Sequence, residues 1–381
     1  MQSNPHAAAE NLLSYCLDGR PWPPTLLDQL TADEASRDLF RVVVERLGDL
    51  FDPRLCDVYA ELFSEVIARV IPELPADALL ARYHRVRHAR RFDATPPRDV
   101  FVLSRVTLGA DVAVTSVVLD GAKQTFPGSR IWFVGPRKSW ELFAGDPRLA
   151  HVDLAYGRGG TLRERLSGWT ELRDAVSRPN SVVIDPDSRL TQLGLLPICA
   201  EEDYFFFESR SYGGDGLEAL PELTSRWMAE TFGVSQARAY IRTGIPARQF
   251  AATASIGVGE NAAKRIDDPF EAELVRDLSR PALVDTGAGG EEAERVRRAV
   301  AQAGPGIETF TGSFAAFASH IAASGQYVGY DSAGGHVAAA CGVPLFCTFA
   351  GAVSDRMFAR WRPWGPGPVH VIRPPVPEPR A

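Results

Sequence analysis

The sequence predicts an α/β protein of two parallel-sheet domains behind a helical region. Three observations predict it. Beyond about residue 98, short β-branched runs alternate with helical patterns; the alternation forms two series that break near residue 250; and the residues before it carry helical periodicity alone. The length agrees, since 381 residues exceed what one hydrophobic core usually serves.

Taken in order, residues 1–97 read as a helical extension. "LTADEASRDLFRVVVERLGDLF" and "CDVYAELFSEVIARVIPEL" space apolar residues three and four apart, and Pro-rich joints separate them. The Arg/His-rich run from Arg82 to Phe92 reads as a solvated helix face, with a phosphate or membrane contact as the competing reading. Residues 98–245 then supply strands at "DVFVLSRV", "SRIWFVG", "AHVDLAY" and "NSVVIDP", the pattern of a Rossmann-like domain. Around Ser225 to Phe250 a helical pattern gives way to a Gly/Pro/Arg segment, which marks the join. Residues 246–381 repeat the alternation with "AATASIGVG", "RPALVDTG", "GIETFTG", "GQYVGYD" and "VPLFCTF", and end in a Pro-rich tail expected as an extended strand or coil. Two such halves face each other across a cleft, and ligands collect outside the carboxyl ends of the strands.

Composition narrows the function. Hydrophobic residues at 45% and charged residues at 23% fit a folded soluble chain. A net charge of -7 without a Lys/Arg block argues against nucleic acid as a partner. The five cysteines form no CxxC pair, so neither a disulfide framework nor a zinc ribbon is expected, and a reducing cytoplasm fits best. The N-terminus lacks a basic segment followed by an apolar one, and no run approaches ~18 apolar residues, so neither a signal peptide nor a membrane span is expected. Peripheral membrane contact is left open.

The densest chemistry lies in "VGYDSAGGHVAAACGVPLF". A strand ends at Asp331 and Ser332, a glycine pair follows, and a helix begins near His336. Gly334 and Gly335 would let the backbone take positive φ and approach a ligand, and the helix start offers unpaired N–H groups to an anion such as a diphosphate. Capping by Asp331 or Ser332 is the alternative.

The stretch resembles the C-terminal signature of glycosyltransferase family nine, the heptosyltransferase-like enzymes of the GT-B fold. Asp331, Ser332, His336, Ala339, Ala340, Gly342 and Pro344 stand in matching order, and Ala333 replaces the usual glycine. "FVLSRVTLGADVAVTSVVLDGAKQTFPGSRIWFVG" resembles the family's N-terminal motif through Arg105, Gly109 and Asp111, with Ala110 inserted between the last two. The resemblance spans roughly residues 99–370. It implies two Rossmann-like domains, an acceptor domain and a donor domain, with the helical extension filling the place of a long C-terminal helix.

By resemblance, Asp111 is the general base that takes the acceptor's proton, with a helix N-cap as its alternative role. Arg105 and Gly109 lie on the acceptor side. Lys264 matches the lysine for the nucleotide-sugar phosphate, with Glu260 and Asn261 beside it. Glu291 or Glu292 is expected at the ribose or base, Ser313 near the diphosphate, and Asp331 to His336, Ala333 included, in the donor cradle. "EEDYFFFESRSYGGDG" is either an acceptor-side loop or a buried edge with a turn. The implied activity is inverting transfer from a nucleotide-diphospho-sugar, with ADP-heptose as the family's donor, to an unidentified glycan, lipid, protein or small-molecule hydroxyl. No cofactor beyond the co-substrate is implied, and no resident metal is expected. A non-catalytic nucleotide- or sugar-binding protein and a nucleotide-sugar epimerase are the alternatives.

Overall fold

The computed structural model describes residues 4–32, 35–157, 159–258, 264–266 and 269–374. Helices fill its first part because capping residues and prolines start them. Asn4 caps Pro5–Asp18 by accepting from the His6 N–H at 3.1 Å, and Gly19, at φ 64°, closes that helix. Asp52 does the same for Pro53–Val70, accepting from the Arg54 N–H at 3.0 Å. Between them Ser36–Asp38, Leu39–Val44 and Glu45–Asp49 run on as one helical stretch, its middle wound wider than an α-helix.

Two parallel sheets follow. The first contains β1 (Asp99–Leu103), β2 (Arg130–Gly135), β3 (Leu149–Asp153), β4 (Ser181–Asp185) and β5 (Tyr204–Phe206), in the order β3-β2-β1-β4-β5. The second contains β6 (Ala252–Ser255), β7 (Ala282–Asp285), β8 (Ile307–Phe310), β9 (Tyr327–Tyr330), β10 (Leu345–Thr348) and β11 (Val369–Ile372), in the order β11-β10-β9-β6-β7-β8. In each sheet the first strand pairs on both sides, β1 with β2 and β4, β6 with β7 and β9. The winding therefore reverses at β1/β4 and at β6/β9, and a crevice opens outside the carboxyl ends there. The aromatic run holds the short strand β5, and the Pro-rich tail adds β11 to the edge beside β10.

Strand β1 is buried along its whole length, as parallel strands covered on both faces are. Val100 and Val102 face a core shared with the helices Ser116–Thr125 and Leu220–Phe232. Phe101 and Leu103 point the other way, into a core with Leu12, Leu27, Tyr59 and Phe63 of the N-terminal helices. The helical region thus covers one face of the first sheet, and each large side chain buried there contributes about 1.5–3 kcal/mol.

The Arg-rich run is exposed at His84, Arg85, His88, Arg90 and Arg91, yet it is not only a solvated face. Arg82 is buried and donates to Gly194 O at 2.8 Å, Arg85 pairs with Glu201 at 2.7 Å, and Arg87 bonds Asp57 and buried Glu208. Arg90 donates to the carbonyls of Glu201 and Glu202. These arginines rivet the helical region to the segments that flank β5. All five cysteines are unpaired. Among the described residues no helix is long and apolar enough to cross a membrane.

The helix Asp355–Trp361 leaves the second sheet and packs on the first domain. Arg356 donates to Phe51 O at 2.8 Å and Gly214 O at 2.6 Å, and Arg360, wholly buried, donates to Glu218 O and Gly214 O. Trp361 meets Phe51 edge-on with ring centroids 6.1 Å apart.

Candidate functional site

Asp331 to His336 follow β9 at the switch of the second sheet. Asp331 Oδ2 accepts from Lys264 Nζ at 2.5 Å, so two residues 67 apart in the chain are joined as a pair. Ser332 is extended at the N-cap of Ala333–Ala340, yet its hydroxyl makes no capping bond and lies 3.4 Å from Tyr327 Oη. The first N–H groups of a helix have no intrahelical partner, and a serine that does not cap leaves them to an anion.

The glycine pair serves a different purpose from the one expected. Gly334 and Gly335 lie buried inside the helix, which starts at Ala333 and not at His336, and neither has positive φ. A Cβ on Gly334 would fall 2.2 Å from Tyr327 Oη, whereas one on Gly335 would meet nothing nearer than Pro363 Cγ at 3.5 Å. Packing against Tyr327 demands the first glycine. His336 is buried beside Trp361, ring centroids 6.0 Å apart; burial pushes its imidazole down to about 4, against the pull of Asp331 and helped by Lys264.

The loop after β1 comes up against this helix. A Cβ on Gly109 would lie 3.2 Å from His336 Cδ2 and 3.5 Å from Ala333 Cα, so the two motifs touch across the crevice. Asp111, expected to face that crevice as a base, does not reach it. It is wholly buried; Oδ2 accepts from the Ser104 hydroxyl at 2.8 Å, and Oδ1 from the Arg105 N–H and the Thr115 hydroxyl, both at 2.7 Å. Burial raises its pKa against these donors and Ser139. Asp111 braces the loop at the wide turn Asp111–Thr115, and Ala110, the residue before it, faces the adjoining cavity.

That cavity, about 170 Å³, lies where β1 and β4 end. It is lined by Arg105, Thr107, Ala110, Asp187 and Arg189 of the first domain, by Phe40, Glu45, Gly48, Asp49 and Phe51 of the helical region, and by Trp361. Asp187 Oδ2 accepts from Arg210 Nε at 3.0 Å and the Ser209 hydroxyl at 2.8 Å. Burial would raise its pKa, but Arg210, Arg105 and Ser209 hold it below its ordinary value. Arg105 donates to Ser209 Oγ at 2.6 Å and Pro186 O at 2.7 Å, and its guanidinium stands 5.8 Å from the Trp361 ring centre.

Backbone strain gathers at the same place. Of the six non-glycine residues with positive φ among those described, Phe51 (53°), Val106 (61°), Asp187 (68°) and Leu193 (59°) line the cavity. Each costs of order 1–3 kcal/mol and persists where surrounding structure enforces it, as at ligand sites. Asp187, Arg189, Arg210 and Trp361 escaped the sequence reading, although "DPDSR" directly after a strand and "ESRS" after the aromatic run were their signals.

The other expected residues separate. Glu291 is exposed, and Glu292 is the one that folds back, its Oε1 accepting from the Ala288 N–H at 3.3 Å and lying 1.5 Å from where a Cβ on Gly287 (φ 68°) would be. Ser313 is exposed and caps Phe314–Ala322, accepting from the Ala316 N–H at 3.2 Å at the far edge of the sheet. Glu260 and Asn261 lie outside the described residues. Among the described residues no cluster of His, Cys, Asp and Glu could hold a metal ion.

No family model matches the chain, and none of the curated proteins does. Solved structures do. E. coli heptosyltransferase WaaC with ADP superposes at TM-score 0.54 and 16% identity, covering 73% of this chain and 93% of that one. The same enzyme with ADP-2-deoxy-2-fluoro heptose gives TM-score 0.53, 16% identity and coverage of 73% and 93%. A glycosyl transferase of family 9 from Veillonella parvula gives 0.53 and 15%, covering 75% of this chain and 88% of that one. Identities this low carry the fold and not the activity. The fold is the two-domain GT-B type that the sequence resemblance implied.

Proposed function

We propose that the chain is a glycosyltransferase that moves a sugar from a nucleotide diphosphate to a hydroxyl held in the cavity between β1 and β4. One observation carries the reading: the loop 105–110 forms a wall of the cavity and also packs on the start of the signature helix, Gly109 against Ala333 and His336. A donor cradled at that helix would therefore present its sugar beside an acceptor in the cavity.

The donor's diphosphate would lie over Ser332 and the N–H groups that begin Ala333–Ala340, with Lys264 held at its side by Asp331. The helix dipole and the ammonium favour the charge that develops on the leaving diphosphate, so we propose transfer without a resident metal. We assign Glu292, whose carboxylate lies against Gly257 and Gly287 beyond the ends of β6 and β7, to the nucleoside. An ADP-sugar is the donor we favour, as the neighbouring WaaC structures are with ADP and an ADP-heptose analogue.

In the step proposed, the acceptor oxygen bonds to the anomeric carbon from the face opposite the diphosphate, the carbon–diphosphate bond breaks, and the configuration inverts. The hydroxyl proton passes to a carboxylate. Asp187 is the residue we assign, because its Oδ1 has no partner among the described residues and it lines the cavity in the ionised form.

The test measures nucleotide release from ADP-, UDP- and GDP-sugars by the full chain, with and without candidate acceptors. ADP release is expected, and Lys264→Ala should raise the donor KM at least ~10-fold, the loss of a charge-assisted contact. Donor binding without release in any combination would favour the binding-protein alternative and overturn the reading.

A further inference from the structure

We infer that the cavity is an oxyanion site, so that the acceptor is a compact hydroxylated molecule carrying a carboxylate or a phosphate, read in part by the N-terminal helical region. The inference rests on the cavity being the acceptor site proposed above. Four arginines, Arg105, Arg165, Arg189 and Arg210, line it. Two of them hold unused buried donors. Arg210 is 4% exposed, and its Nη2 has no hydrogen-bond partner among the described residues; the same is true of Arg189 Nη1.

The two arginines differ in what balances them. Asp187 answers Arg210 at 3.0 Å, but Arg189 has no ion pair among the described residues. Arg189 is half-buried, its Nη1 is shut off from water without a partner among the described residues, and its planar fork suits a carboxylate or phosphate oxygen pair. The cavity supplies the room, and its size, about 170 Å³, lies below the roughly 300–1,000 Å³ of ordinary small-molecule pockets, so a compact ligand fits it. With its oxyanion on Arg189 and Arg210 Nη2, such a ligand would set a hydroxyl near Asp187 Oδ1.

The helical region shapes this choice directly. Gly48 lines the cavity, and a Cβ there would lie 3.6 Å from Arg189 Nη2, in ordinary contact. Glu45 and Asp49, on the same turn, also line the cavity and disfavour a ligand with a second anionic group.

Thermal unfolding of the full chain, titrated with sodium phosphate or with sodium acetate against sodium chloride at equal ionic strength, tests the inference. One of the two anions should raise the melting temperature, and which one does so assigns phosphate or carboxylate. Arg189→Met, which breaks no ion pair, should weaken that protection at least ~10-fold. Gly48→Leu, which fills the cavity and keeps every charge, should weaken it as well. In Lys264→Ala the protection should persist, which separates this site from the donor cradle. Protection equal in Arg189→Met and wild type, lost in Lys264→Ala, or absent for both anions overturns the inference. Nucleotide release by the wild type tests the proposed activity independently, so either reading can fail alone.

Discussion

Replacing Asp111 by asparagine and by alanine separates a brace from a base. Alanine strands three buried donors: the Ser104 hydroxyl, the Arg105 N–H and the Thr115 hydroxyl. Each orphaned group costs about 1–3 kcal/mol, and removal of a carboxylate whose charged form burial disfavours returns part of it, so a net loss of about 2–4 kcal/mol is expected. Asparagine keeps Oδ1 for Arg105 and Thr115 and disturbs mainly the Ser104 contact, at about 1 kcal/mol. The pH dependence has a sign. Burial raises the folded pKa above 3.8, so the protonated form contributes stability below that value, and this is lost as pH rises through the folded pKa. The asparagine variant lacks this loss and should gain on wild type as pH rises above about 4. Urea unfolding across pH and nucleotide release with acceptor read the two properties. A brace predicts that Asp111→Asn retains transfer within ~10-fold; a variant as stable as wild type that loses ~10²–10⁴-fold, the range of general base catalysis, would refute the reasoning.

Other expectations follow from the signature helix. Gly334→Ala should lower stability by about 1–3 kcal/mol through the clash with Tyr327, whereas Gly335→Ala, with free space and better helix propensity, should be neutral or stabilising by up to ~1 kcal/mol; thermal unfolding compares them. His336, with its folded pKa at about 4 and an ordinary value of 6.5, binds its proton more readily unfolded, so its contribution is lost as pH falls from about 6.5 towards 4. That amounts to about 3 kcal/mol, and His336→Gln should flatten the wild-type slope in that window. Removing residues 1–95 should give an aggregating product, seen by light scattering, because Phe101, Leu103, Val183 and Phe206 lose their cover; a soluble, folded fragment would contradict the shared core.

Strand periodicity was legible because it is local. "DVFVL", apolar after its first residue, is a strand covered on both faces, and the helices before it are that second cover. Lys264 and Asp331 each sit in a short pattern of their own, and only the fold shows that the two are paired. The cavity was not legible, because Arg105, Arg189 and Arg210 gather only when β1, β4 and β5 align, and the positive φ of Val106 and Asp187 leaves no mark on side-chain type. Gly334 misled for the same reason: space for a Tyr327 ring and space for a ligand ask for one residue type.

The helix Asp355–Trp361 belongs to the second domain by sequence and to the first by attachment. The chain crosses between the sheets after Phe232, again between Phe349 and Asp355, and returns before β11. A body hung on one strap can swivel freely. Hung on several, with Arg356 and Arg360 bonded to the carbonyls of Phe51, Gly214 and Glu218, it can part from the first domain only by breaking those bonds or by leaving this helix behind on the far side.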